Sequence, residues 1–232
     1  MGQQKTDTSS ISFTAHYTGQ VWYRNGLSDQ PFHTREGALY YTLMSPFEAI
    51  GGAIVGTNIR QSLLQRHHLI DHLIEQAITR EGVTQVLEIA CGLSPRGWRF
   101  TSRFPQLKYV EADLPDMARD KAALLREHGS LSERHKVVTC NILVDGSDSL
   151  ESVVAREFDT SKPLLVITEG LVNYFDLDTI SGFWRRLLQL ALPDAQRQRA
   201  LRAAGALGVG VVLLVGVVPL PFSSLAQGVV WV

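Results

Sequence analysis

An α/β domain with a doubly wound, mostly parallel sheet and an N-terminal helical cap is predicted by three features of the 232-residue chain. After Gly82, four short β-branched runs alternate with helical patterns, the signature of parallel strands joined by crossover helices. Acids or small residues stand where several of those runs end, at the edge where such sheets bind ligands. A hydrophobic content of 45% against 19% charged residues supplies one core and excludes a chain held open by its own charge.

Up to about Gly56, Tyr17, Trp22, Tyr23, Phe32, Tyr40 and Tyr41 stand among glycines and polar residues without a sustained period, so short helices and loops are expected there. Ile70, Leu73, Ile74, Ala77 and Ile78 then recur at helical spacing on one face, and Gly82 can end that helix. The expected strands are QVLEIA (85–90), LKYVEA (107–112), KVVT (136–139) and PLLVIT (163–168). Between them, Pro115 suits a first helical turn after Asp113, Leu124 and Leu125 lie on an apolar side, and Gly129 offers a left-handed stop. Leu150, Val153 and Val154 repeat at helical spacing in the next connection. Asp176 can cap a last helix whose Ile180, Trp184, Leu187, Leu188 and Ala191 share a face before Pro193. The expected organisation is a cap and lead-in helix over 1–82, a ligand-binding core over 83–193 and an atypical apolar segment over 194–232.

Charge and cysteine usage narrow the function classes. Lys plus Arg number 22 against 23 Asp plus Glu, and the net charge of -1 provides no field for drawing in a nucleic-acid backbone. Cys91 and Cys140 cannot form a disulfide framework or fill a zinc site, and no leader pattern is visible at the start, which predicts a reducing cytoplasm. His68 with His72, or His67 with Asp71, could share a metal on the helix, but no further ligand is evident and the helix-surface reading is preferred to a metal site.

Residues suited to ligand chemistry collect at the strand ends. The first strand runs into Glu88-Ile-Ala-Cys-Gly-Leu-Ser, where the small residues Ala90, Gly92 and Ser94 let backbone approach a ligand closely. Ala90 and Ser94 replace two glycines of a dinucleotide fingerprint, and Pro95 stands where a phosphate-binding helix should begin, so a pyrophosphate cradle is poorly supported. Asp113 lies 21 residues after Gly92, about where this topology puts a carboxylate that accepts from ribose hydroxyls. Glu111 competes for that role, and Asp113 is chosen because it is nearer the strand end, although it could also serve as a helix N-cap. After the third strand, Asn141 and Ile142 suit an adenine edge and face, or equally an ordinary turn. After the fourth, Glu169 is an acid in an apolar context that a ligand ammonium or Arg66 would justify.

Four ordered segments carry a family resemblance: RHHLID (66–71), VLEIACGLSPRGWRF (86–100), YVEADLPDMARDKAALL (109–125) and ITEGLVNYF (167–175). On these the chain resembles class I S-adenosylmethionine-dependent O-methyltransferases of the leucine carboxyl methyltransferase and polyketide O-methyltransferase group, over about residues 12–190. The resemblance implies a Rossmann-like methyltransferase core with S-adenosyl-L-methionine as cofactor. It also implies that Arg66 holds the cofactor carboxylate, Gly92 lies under the methionyl portion, Asp113 takes the ribose, Asn141 and Ile142 the adenine, and Glu169 the amino end. Glu88 is counted with these cofactor-binding residues. Asn141 departs from the acid often found there in the leucine carboxyl branch, which slightly favours the polyketide-type branch.

Methyl transfer from a sulfonium asks chiefly for positioning and exclusion of water. A carboxylate acceptor, on a small molecule or a peptide, needs no general base. For a hydroxyl acceptor, His16, His67 and Tyr174 are the nearest candidates by motif context, though structural hydrogen bonding explains such residues more often.

Charge stops at Arg202, and residues 203–222 read in three ways. They reach the roughly 20 residues needed to cross a bilayer, with Arg197, Arg199 and Arg202 holding that end in the cytoplasm; GVVLLVGVV also reads as a buried fifth strand; or the family's own end has been lost. The strand, Val209 to Val218 beside PLLVIT, is favoured. Two rival functions stand beside the methyltransferase: a nicotinamide-dependent dehydrogenase, disfavoured by the incomplete glycine pattern, and a non-catalytic or membrane-attached protein with a degenerate cofactor fold.

Overall fold

A computed structural model describes residues 9–55, 59–171, 174–191 and the pair 216–217. Helices α1 (Ser9–Arg24), α2 (Arg35–Val55) and α3 (Ile59–Glu81) precede an alternation of strands and helices: β1 (Gln85–Ile89), α4 (Arg96–Arg103), β2 (Lys108–Asp113), α5 (Pro115–Glu127), β3 (His135–Thr139), α6 (Leu150–Glu157), β4 (Leu165–Thr168) and α7 (Leu177–Ala191). The strand order is β3-β2-β1-β4, all parallel, and β5 (Gly216–Val217) joins β4 antiparallel, with Val217 opposite Leu165. The sheet is therefore mostly parallel, as expected. The described pair 216–217 lies beside β4 within the segment expected to form a strand there; the remainder of that segment lies outside the described residues, as does the stretch considered for a bilayer. Among the described residues no helix is long and apolar enough to cross a membrane.

Alternation along the strands sends two different populations to the two faces of the sheet. Leu87, Ile89, Val110, Ala112 and Val166 pack with Leu150, Val153 and Val154 of α6 and Ile180, Phe183 and Leu187 of α7. The side chains that pack together on this face are almost all aliphatic or aromatic. The other face carries Val86, Tyr109, Leu165 and Ile167 against Ile70, Ile74, Ala77 and Ile78 of α3 and Phe100 of α4. Between those apolar residues it also buries Glu88, Glu111 and Asp113, the polar part of the molecule.

The helix stops hold where expected: Gly82 and Gly129 take φ of +71° and +68° beyond α3 and α5. Pro115 opens α5, and Asp176 accepts from the Thr179 amide at 2.8 Å before α7. Two readings need correction. The N-terminal stretch is chiefly two long helices, joined through the short 3-10 turn Gln30–Phe32, rather than short helices and loops throughout. Tyr17 to Trp22 of α1 are all buried, so the segment shows no polar face and hence no amphipathic period. The helical connection expected after the first strand is α4, which begins after Pro95 because proline is tolerated where the first amide needs no helical partner. Asp113 is not the N-cap of α5; that place is taken by Leu114, whose amide Asp113 Oδ1 receives at 2.8 Å.

Helix α4 reaches the sheet only because residue 97 has no side chain. A Cβ on Gly97 would lie 2.7 Å from both Glu111 Cδ and His135 Nε2. Gly97→Ala is expected to destabilise the fold by about 2 kcal/mol or more, since neither the strand nor its buried ion pair can move aside. Urea unfolding measures this, and an unchanged midpoint would contradict the packing described.

Candidate functional site

A cleft of about 250 Å³ opens over the carboxyl ends of the parallel strands. It lies where β1 is flanked by β2 on one side and β4 on the other, the place where an open α/β sheet forms a crevice. Its floor is the turn after β1, in which Ala90 and Gly92 both adopt left-handed φ, +54° and +47°. For Ala90 this conformation is strained, and such strain persists only where surrounding structure enforces it. Gly92 is needed twice over: its φ favours glycine, and a Cβ would come within 3.3 Å of Ala15 Cβ on the covering helix. Thr14, Ala15, Thr18 and Trp22 of α1 form the roof, and Leu63 and Arg66 of α3 one side.

Beneath one end of the cleft lies Arg96, with no exposed surface at all. Its Nε donates to Asp71 Oδ1 at 2.8 Å, Nη1 to Glu88 Oε1 at 2.5 Å, and Nη2 to both His67 Nδ1 and Glu169 Oε2 at 2.8 Å. Arg66 Nε holds the second Glu169 oxygen at 2.8 Å, Arg99 holds the second Asp71 oxygen at 2.6 Å, and the Tyr109 hydroxyl donates to the second Glu88 oxygen at 2.7 Å. Three guanidiniums thus meet three carboxylates. Burial alone would raise the Glu169 pKa, but Arg96, His67 and Arg66 outweigh it and hold the carboxyl well below the usual range, so it is anionic at any working pH. Burial pushes Glu88 up against the pull of Arg96 and Lys121. For His67, burial and the neighbouring Arg96 charge act together and lower the pKa to about 4, so its ring is neutral near pH 7.

A second buried group supports the other half of the floor. Lys121 Nζ stands 2.7 Å from Glu111 Oε1, His135 Nε2 is 3.0 Å from Glu111 Oε2, and Lys121 also reaches the Cys91 carbonyl at 3.5 Å. Burial would raise the Glu111 pKa, yet Lys121 and His135 prevail and lower it. Lys121 thereby ties α5 to β2 through Glu111 and to the turn after β1 through the Cys91 carbonyl.

The site residues expected from sequence divide by this geometry. Arg66, Glu88, Gly92, Asp113, Asn141, Ile142, Glu169 and Tyr174 all line the cleft. Asp113 accepts from the Gly92 amide at 2.7 Å and the Leu114 amide at 2.8 Å; burial raises its pKa against these bonds. Glu111 does not border the cleft, being committed to Lys121 and His135. Glu88 borders it, but both oxygens are taken by Arg96 and Tyr109, so it anchors the floor. Asn141 Oδ1 accepts the Leu143 amide at 3.0 Å, and Arg186 pins the same loop through the Ile142 carbonyl at 3.1 Å.

His16 and His67 do not border the cleft. His16 pairs with Thr34 at 3.1 Å, away from the roof face of α1. His67 lies behind the wall, its ring 4.8 Å from that of Trp22 and its Nδ1 engaged by Arg96. The helix-surface reading holds for His68 and His72 but not for His67 and Asp71, which are buried because Arg96 draws them inward. Sequence reasoning missed Arg96 and Lys121. Their one signal was position: a cation just after the first strand-end turn and another on the buried side of α5.

The profile of the leucine carboxyl methyltransferase family matches residues 35–187, more than half of the chain. Similar proteins include two from Mycobacterium tuberculosis and one from Mycobacterium avium, all named provisionally as S-adenosyl-L-methionine-dependent methyltransferases. The M. tuberculosis H37Ra protein is 30% identical over 134 residues, 56% of this chain and 41% of its own length. The M. tuberculosis H37Rv protein is 32% identical over 125 residues, 53% of this chain and 38% of its own. The M. avium protein is 31% identical over 116 residues, 50% of this chain and 36% of its own. The chain therefore spans about two fifths of the length of the curated relatives it matches.

His67 gives a pH test of the buried network. Its folded pKa, about 4, lies below the ordinary 6.5. The unfolded chain therefore binds the proton first, and the stability His67 contributes is present above pH 6.5 and lost as pH falls toward 4. Urea unfolding at pH 7 and pH 4.5 should show His67→Leu losing less stability over that interval than the natural protein, by on the order of 2 kcal/mol. Equal losses would mean that His67 is not held neutral by its surroundings.

Proposed function

Because the chain belongs to the leucine carboxyl methyltransferase family, we propose that it binds S-adenosyl-L-methionine in the cleft and transfers the methyl group to an oxygen of a small-molecule or peptide acceptor. The observation that carries this reading is the opposed pair at one end of the cleft. Glu169 is kept anionic there, and Arg66, a quarter exposed, spends its Nε on Glu169 while its side chain borders the same space. An amino-acid ligand brings one ammonium and one carboxylate, so this donor set fits it. At the other end the Asp113 oxygens each take one backbone amide and keep lone pairs for ribose hydroxyls. Ile142, Leu114 and Met117 offer apolar surface for a base, with the Asn141 amide at its edge.

When bound, the cofactor supplies a methyl group already activated on a sulfonium. What this chain adds is orientation and dryness. The left-handed turn at Ala90 and Gly92 lets backbone approach the ligand, and the α1 roof keeps water from the reacting atoms. The titratable groups bordering the cleft favour a carboxylate acceptor. Glu88, Glu169 and Asp113 are committed to partners, and the two histidine candidates lie outside the cleft. Tyr174 alone of the three candidate bases borders it, so a hydroxyl acceptor, of polyketide type for instance, would depend on that phenol.

Calorimetric titration with S-adenosylhomocysteine tests the cofactor, and transfer of label from S-adenosyl-L-methionine to a panel of carboxylic acids and phenols tests the acceptor. Asp113→Ala is expected to weaken S-adenosylhomocysteine binding by about 1.5 to 3 kcal/mol, through loss of a charged acceptor. Unchanged affinity would remove Asp113 from the ribose. Binding of NAD without binding of S-adenosylhomocysteine would overturn the whole reading.

A further inference from the structure

We propose that Arg96, which does not border the cleft, is a positioning residue that sets the affinity for the amino-acid end of the cofactor. The inference rests on reading the cleft as the S-adenosyl-L-methionine site, and it names a residue that acts there through another. Glu169 has two oxygens and two cations: Arg96 holds Oε2 from beneath and Arg66 holds Oε1 from the cleft side, each at 2.8 Å. The two supports differ in kind. Arg66 is partly exposed on a long helix, whereas Arg96 is wholly enclosed, fixed at its other two nitrogens by Asp71 and Glu88, and shares Nη2 between Glu169 and His67.

This arrangement uses the guanidinium fork in a way an ammonium cannot. Four bonds leave in three directions within one plane, so the Glu169 carboxylate is held in angle as well as distance. Charge matters equally. With Arg96 neutralising Glu169 from behind, Arg66 keeps donors for a ligand carboxylate. Without Arg96, the buried Glu169 charge has only Arg66 left as a guanidinium partner, and Arg66 turns its fork onto it. One substitution then spoils both halves of the pair that recognises ammonium and carboxylate. Asp113 lies outside this chain of contacts, since backbone amides of Gly92 and Leu114 hold it.

The test compares two ligands that share the adenosyl end: S-adenosylhomocysteine, and 5′-methylthioadenosine, which lacks the amino-acid group. Arg96→Lys keeps a cation in the site but cannot make the forked contacts. Its dissociation constant for S-adenosylhomocysteine should rise about tenfold or more, while that for 5′-methylthioadenosine changes by less than about threefold. Circular dichroism and thermal melting establish that the variant folds. Should it fail to fold, Asp71→Asn decides on the same criterion with a smaller effect. An amide in place of Asp71 can accept from Arg96 or Arg99 but not both, so it loosens Arg96 while keeping the shape of the site. In the variant that folds, equal losses for both ligands, or no loss for either, overturn the proposal. A natural protein that binds neither ligand overturns instead the cofactor reading on which it rests.

Discussion

A guanidinium removed entirely from water must be matched by charge and hydrogen bonds, or the fold that buries it cannot persist. Arg96 meets that condition with a carboxylate from each of three parts of the chain: Asp71 from α3, Glu88 from β1 and Glu169 from the turn after β4. None of these segments can shift without leaving a buried charge unpaired. Truncating one partner of such a group costs several kcal/mol, a large share of the net stability of a domain. The network therefore acts less as a source of stability than as a constraint on where the strand ends and the flanking helix lie relative to one another.

The two faces of the sheet divide the labour accordingly. The face covered by α6 and α7 is a plain apolar core, and its packing would suit many sheets of this kind. The face covered by α3, α4 and α5 carries the ionic groups, Arg96 under one end of the cleft and Lys121 with Glu111 and His135 near the other. These buried groups reach the cleft only through intermediaries. Glu169 and Arg66 border the cleft, and Arg96 stands behind Glu169. The turn bearing Gly92 keeps its left-handed form where Lys121 reaches the Cys91 carbonyl and Asp113 receives the Gly92 amide. Trp22 joins the roof to this system by packing on His67.

Much of the fold was legible because parallel strands buried on both faces read as mainly aliphatic runs, as PLLVIT does and as QVLEIA does apart from Gln85 and Glu88. The stripe of Ile70, Ile74, Ala77 and Ile78 was legible for the opposite reason: α3 has one wet side. Helix α1 was not, since residues buried on every side erase the period that marks a helix. The strand-end residues Gly92, Asp113, Asn141, Ile142 and Glu169 could be picked from their places after the strands, and all of them border one cleft. Arg96 could not. Apart from its place just after the strand-end turn, nothing in RGWRFTSR tells its first arginine from Arg99 or Arg103, which keep surface. Only the three carboxylates, distant in sequence, identify it. Glu88 could be placed at the cleft from its strand position, but its pairing with Arg96 and Tyr109 was hidden for the same cause.

The most direct test is a crystal structure of the protein with S-adenosylhomocysteine. The account predicts the ligand ammonium on Glu169, its carboxylate on Arg66 and its ribose on Asp113, with Arg96 still bound to Asp71, Glu88 and Glu169 beneath them. A ligand lying elsewhere, or one that pulls Glu169 away from Arg96 in order to bind, would contradict the claim that the buried guanidinium prepares the site.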